Sequence, residues 1–151
     1  MSYVLKVKFD RFKPEISRTL TVPSGITFDR LCGIFEIAFA LSPYHLSTFS
    51  FPGINAVLWD FDKTDPDETC MDMKDVVISD YLDLFRKFYW RYDLSRGWSF
   101  TVKVKKSKKK TDYPFVSEGE YNLPEDYDFF TAEDLPDFDI DETNERLRMM
   151  G

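Results

Sequence analysis

His45 is the only imidazole in this chain, and Cys32 and Cys70 are its only thiols. Any Ser-His-Asp or Cys-His centre would therefore have to use that one ring. The two thiols match no zinc, haem or redox spacing, so a zinc site would have to gather carboxylates from distant segments. The string Ala56-Val57-Leu58-Trp59-Asp60-Phe61-Asp62-Lys63-Thr64 is more tempting. An apolar run ending in Asp-x-Asp-x-Thr has the order of an aspartyl nucleophile followed by its acid/base partner beside magnesium. That chemistry needs the end of a strand in a βαβ-wound sheet, and the residues before Asp60 do not alternate strand with helix. No Gly-Asp metal motif follows it either, so the string reads as a strand entering an acidic turn. Asp60–Glu68 and Asp137–Glu142 lack the glycine and closing glutamate of a calcium loop. None of the six glycines stands in a Gly-x-Gly pattern, which leaves no loop to cradle phosphate. No cofactor and no resident metal are expected.

The basic residues carry a different kind of chemistry. Lys103, Lys105, Lys106, Lys108, Lys109 and Lys110 place six ammonium groups within eight residues, and Arg91 and Arg96 precede them in the same hairpin. Such a cluster neutralises phosphates without reading sequence, and an aromatic neighbour such as Tyr89 adds a surface for stacking. The competing reading is a solvated strand end whose lysines blunt an exposed sheet edge. The chain as a whole is acidic, with a net charge of −7. That charge is unevenly placed: residues 1–111 hold 18 Lys+Arg against 14 Asp+Glu, and residues 112–151 hold 2 against 13. A division this sharp predicts that the acidic segment solvates the domain or lies over the lysines.

The elements that would position these groups follow from periodicity. Tyr3, Leu5, Val7 and Phe9 alternate with Lys6, Lys8 and Asp10, and Ile16, Arg18, Leu20 and Val22 alternate with Ser17, Thr19 and Thr21. Both runs are half-buried strands, joined as an antiparallel pair by a turn at Lys13-Pro14. Thr27 caps a helix in which Phe28, Leu31, Phe35, Ala38 and Phe39 recur at three- and four-residue steps. Ser42-Pro43 stops it. Strands are predicted over His45–Phe51 and Ala56–Phe61, then a mixed strand and helical turn over Asp75–Phe85. A strong hairpin follows, with Phe88, Trp90 and Tyr92 facing Trp98, Phe100, Val102 and Val104. Beyond Asp112 the chain packs in pieces and ends in a helix over Asp141–Met149. Strands and helices do not alternate regularly, so the class is α+β: a mostly antiparallel or mixed sheet against one main helix, with a β-grasp-like start.

At 151 residues and 17% aromatic content, the chain reads as one domain, with a core over 1–111 and the acidic segment 112–151 packed on or beside it. The N-terminus has no apolar leader and no segment approaches a membrane span, so a reducing cytoplasm is the expected compartment.

Several short motifs bear a further resemblance. Val4-Leu5-Lys6-Val7, Lys13-Pro14-Glu15-Ile16, Leu31–Ala40, Tyr44-His45-Leu46 with Phe49, Tyr92-Asp93 with Gly97-Trp98, Tyr113-Pro114, Pro124-Glu125-Asp126 and Phe138-Asp139 with Asn144 and Leu147 resemble the plasmid pRiA4b ORF-3-like family over roughly 3–148. Its members occur on plasmids, transposons and chromosomes and have no established activity. The chain departs from the family in two places. Arg96 stands where the hairpin turn usually has a second acidic residue, and Asn122-Leu123 replaces the usual cysteine before Pro124-Glu125-Asp126. The resemblance alone groups His45, Asp93, Glu125 and Asp126, with Trp98 also retained. The expected function is a non-enzymatic binding or adaptor module for a protein or a nucleic acid, associated with a mobile element. The alternative is a metal-dependent hydrolase or nuclease using the carboxylates near His45.

Overall fold

In a computed structural model, residues 1–10, 14–43, 45–53, 57–59, 70–94, 97–123 and 137–150 are described. Their strands are β1 (Ser2–Phe9), β2 (Ser17–Pro23), β3 (Ser47–Ser50), β4 (Val57–Trp59), β5 (Met71–Asp72), β6 (Lys87–Tyr92), β7 (Trp98–Ser107) and β8 (Phe115–Glu120). They form one sheet in the order β5-β4-β3-β6-β7-β1-β2-β8. Every pairing is antiparallel except β4 with β5. Three helices, α1 (Phe28–Ala38), α2 (Ser79–Leu82) and α3 (Ile140–Met149), complete the α+β architecture. No helix among the described residues is long and apolar enough to cross a membrane.

Alternation sends one set of side chains from each strand to the helix layer. Tyr3, Leu5, Val7 and Phe9 of β1 are buried there with Phe88, Trp90 and Tyr92 of β6 and Phe100, Val102 and Val104 of β7. The stripe Phe28-Leu31-Phe35-Ala38-Phe39 closes over them. Phe28 meets Phe49 and Phe88 edge-on or tilted, and Phe39 packs on Phe100 at 5.0 Å. Each such ring, fully buried, contributes about 1.5–3 kcal/mol by leaving water. Thr27 has the extended backbone of an N-cap. The helix ends sooner than Ser42-Pro43 implies, because Ala40 adopts a left-handed φ of 54° and turns the chain out of the last turn.

β8 is the element that periodicity misses. A register shift opposite Thr19/Leu20 breaks its alternation, as a β-bulge does. Its outer edge is closed by Asn144 of α3. The Asn144 side-chain amide accepts from the Val116 N–H at 2.7 Å and donates to the Val116 carbonyl at 3.0 Å. A plug of this kind satisfies an edge that would otherwise invite another strand.

Arg18 fastens this corner. It lies opposite Val7 on the helix side of β2 and is fully buried. Its guanidinium donates to the carbonyls of Ala38 (2.7 Å), Ser17 (2.8 Å) and Glu120 (3.2 Å) and to Asn122 Oδ1 (2.7 Å). It also stacks 3.7 Å from the Phe138 ring and 4.8 Å from Phe39. Burial pushes its pKa down to about 9, which still leaves it charged at neutral pH. Gly119 lies beside it, where a Cβ would stand 2.5 Å from Phe138 Cε2. The C-terminal segment is thus fastened at β8, Phe138 and α3, where Leu147 is buried. These parts sit at the β8 edge of the sheet and beside α1. Residues 124–136 of the segment lie outside the described residues.

Candidate functional site

The helices occupy one side of the sheet. On the other, the polar half of each strand's alternation faces out, and among the described residues nothing covers the middle of it. β1 presents Lys6 and Lys8, β7 presents Lys103 and Lys105, and β6 presents Lys87, Tyr89 and Arg91. Register brings three of these into one row: Lys103 is paired with Lys6 on one side and with Lys87 on the other. Adjacent strands are about 4.8 Å apart, and like charges directly opposite one another destabilise a sheet. β6, β7 and β1 are interior strands, so these lysines do not blunt an edge.

The counter-charges are unevenly shared. Glu15 lies 3.7 Å from both Lys6 and Lys8. Lys106 meets Asp83 at 3.2 Å, and Lys110 meets Asp112 at 3.9 Å. The Asp83 carboxyl is held below the usual range by hydrogen bonds from Tyr3 and Lys106. Burial and this carboxylate raise the Tyr3 hydroxyl in turn. Among the described residues Lys87, Arg91, Lys103 and Lys105 have no carboxylate at ion-pair distance, and Lys87 Nζ lies 5.5 Å from the Tyr89 ring. The unneutralised patch is therefore centred on β6 and β7. Lys108 and Lys109 are exposed beyond the end of β7, where Ser2 Oγ holds the Lys109 carbonyl. Arg96 lies outside the described residues. Lys6, Lys8 and Lys87 escape a search for runs of charge, since each is separated from its partners by an apolar residue or by the chain. Alternation was the signal that marked them.

A second polar group gathers where α1, β3 and β6 meet. His45 Nδ1 lies 3.5 Å from Asp93 Oδ2, and the imidazole packs edge-on to Tyr92. Tyr92 donates to the Ser42 carbonyl at 2.6 Å. Its pKa is pushed up to about 12 by burial and by the nearby Glu36 and Asp93 carboxylates. Glu36 is itself buried, and Cys32 Sγ lies 2.9 Å from Ser47 Oγ. Glu36 flanks the apolar stripe of α1, a position that spacing alone does not distinguish from a solvated one. Asp93 also has a backbone role. At φ 53° its N–H donates to the Leu46 carbonyl and its carbonyl accepts from Gly97 N–H, which begins the hairpin turn. Aspartate tolerates that left-handed geometry better than most residues. The structure therefore joins His45 to Asp93. Glu125 and Asp126, and the Asp60-x-Asp62-x-Thr64 string, lie outside the described residues. Among the described residues no three His, Cys, Asp or Glu side chains are grouped to hold a metal ion.

Comparison with solved structures finds the same fold in a protein of unknown function, MM3350, from Methanosarcina mazei Go1. It is 25% identical with a TM-score of 0.72, over 83% of this chain and 73% of that one. Comparison with curated proteins finds no match. The description of the plasmid pRiA4b ORF-3-like proteins matches residues 1–139, and the chain belongs to that family.

Proposed function

We propose that this chain is a non-enzymatic binding module, working in the cytoplasm, that receives a negatively charged partner on the open face of its sheet. The partner is a nucleic acid or an acidic protein surface. The observation that carries the reading is the row Lys6–Lys103–Lys87 on three adjacent interior strands. Lys6 has Glu15 as a counter-charge, but Lys103 and Lys87 stand opposite one another and repel; an anion over them gives each an attraction. The net charge of −7 does not oppose this, because a local field governs encounter. The described acids of α3, Asp141, Glu142 and Glu145, are carried by a helix that packs on β8 and α1. The plasmid reading frame in the family's description supports placing the module on a mobile element.

Heparin and inorganic polyphosphate serve as probes, titrated at low salt and followed by fluorescence. The wild-type chain binds both. The pair Lys87→Glu/Lys103→Glu abolishes binding, whereas Lys108→Glu/Lys109→Glu keeps most of it, since those lysines lie beyond the sheet. Equal loss from the two pairs would shift the site to the lysine run and overturn the reading.

A further inference from the structure

We infer that the open face takes a single-stranded nucleic acid, with one unpaired base on Tyr89 and its backbone over the cations of β6 and β7; this rests on the binding function proposed above. Tyr89 stands in the middle of β6, with Lys87 and Arg91 two residues away on either side and on the same face. Two strand residues span about 6.6 Å, so a cation stands on each side of the ring. Across the sheet the ring is opposite Thr101, a small residue whose hydroxyl donates to Asp10 Oδ1 at 2.6 Å. Lys103 stands diagonal to it, and Lys105 lies further along the same strand. Three cations without a carboxylate partner among the described residues, Lys87, Arg91 and Lys103, thus flank one aromatic ring, and Lys105 extends the line along β7.

Charge alone would fit any polyanion. The tyrosine at its centre selects among them. Bases in a duplex are stacked on one another and present only their edges in the grooves, so a ring on a flat sheet has no base face to meet. In a single strand the bases can splay out and stack on an aromatic side chain, while the phosphates follow the cations. Inorganic polyphosphate has charge but nothing to stack. The Glu15 carboxylate, held by Lys6 and Lys8, places the less favourable ground on β1 and leaves the strand's path over β6 and β7.

The test compares a labelled single-stranded oligonucleotide, the matching duplex and inorganic polyphosphate by fluorescence anisotropy across a salt series. The single strand is expected to bind best, with log affinity falling against log salt at a slope of about −3, the value for four phosphates on a single strand. Tyr89→Ala is expected to weaken the single strand by about tenfold, leaving the salt slope and the polyphosphate affinity unchanged. Tyr89→Phe, which keeps the face of the ring, restores binding. Lys87→Gln/Lys103→Gln reduces the slope by about 1.4. Circular dichroism confirms that each variant is folded. If duplex and polyphosphate bind as well as the single strand and Tyr89→Ala changes nothing, this inference is overturned while the anion-binding function stands. If none of the three probes binds the folded wild-type chain, both fail.

Discussion

Replacing Arg18 with methionine tests what holds the C-terminal segment to the sheet. The change keeps a long flexible side chain in a fully buried position and removes every donor. Four acceptors then lose their partner: the carbonyls of Ala38, Ser17 and Glu120, and Asn122 Oδ1. An orphaned buried acceptor costs about 1–3 kcal/mol. The bonds to Glu120 and Asn122 are only part-buried, so water can meet those two and the lower end applies to them. Loss of the cation over Phe138 adds about 1 kcal/mol. Against these stands the relief of desolvating a guanidinium, worth several kcal/mol. The balance is a loss of about 2–4 kcal/mol, or about 5–15 °C in Tm for a chain of this size. Urea unfolding followed by circular dichroism reads the global loss. Limited proteolysis reads the local one, because residues 121–150 should be cut faster once Asn122 and Phe138 are released. Arg18→Lys should also lose stability, since three donors on one point cannot serve four acceptors arranged around a plane. A methionine variant with the wild-type urea midpoint and an equally resistant C-terminal segment would refute the argument that this fan of hydrogen bonds fastens the corner.

Two further outcomes follow, one from the same corner and one from the contact of Asp83 with Tyr3 and Lys106. Gly119→Ala should cost about 1–3 kcal/mol through the collision with Phe138. In a Phe138→Ala background the share of the cost due to the ring should vanish while the 2.9 Å approach to Arg18 Cδ remains, and simple additivity in that double-mutant cycle would mean Gly119 and Phe138 do not meet. Asp83 accepts from Tyr3 and Lys106 and has a lowered pKa, so its stabilisation is complete above the ordinary carboxylate pKa of about 3.9. It is lost as pH falls through the lower folded value. Thermal melts should therefore show the wild type losing more of its Tm between about pH 5 and pH 2 than Asp83→Asn does; parallel acid limbs would exclude this contact.

Local pattern made much of the fold legible. A period of two over Tyr3–Phe9 and Trp98–Val104 can be satisfied only by a half-buried strand, and the spacing from Phe28 to Phe39 only by a helix with one apolar face. The apolar run of β2 even showed its exception, since Arg18 falls on the inward side. That position calls for acceptors, yet periodicity cannot say that they come from the end of α1, from β8 and from Asn122. β8 went unseen because its bulge breaks the alternation, and because its pairing with β2 joins segments about a hundred residues apart.

The candidate site divides in the same way. Alternation by itself determined that Lys6, Lys8, Lys87, Arg91, Lys103 and Lys105 face away from the core. The lysine-rich composition of 103–110 likewise marked a basic surface. Which lysines stand side by side, which are neutralised by Glu15, Asp83 or Asp112, and whether β7 is an edge or an interior strand were decided only by strand order and register. Those are choices among non-local pairings, and many of them satisfy the same local pattern equally well. Burial of the whole helix-side face, with Arg18 and Asn144 closing the β8 corner, selects one pairing. That pairing sets Lys103 between Lys6 and Lys87.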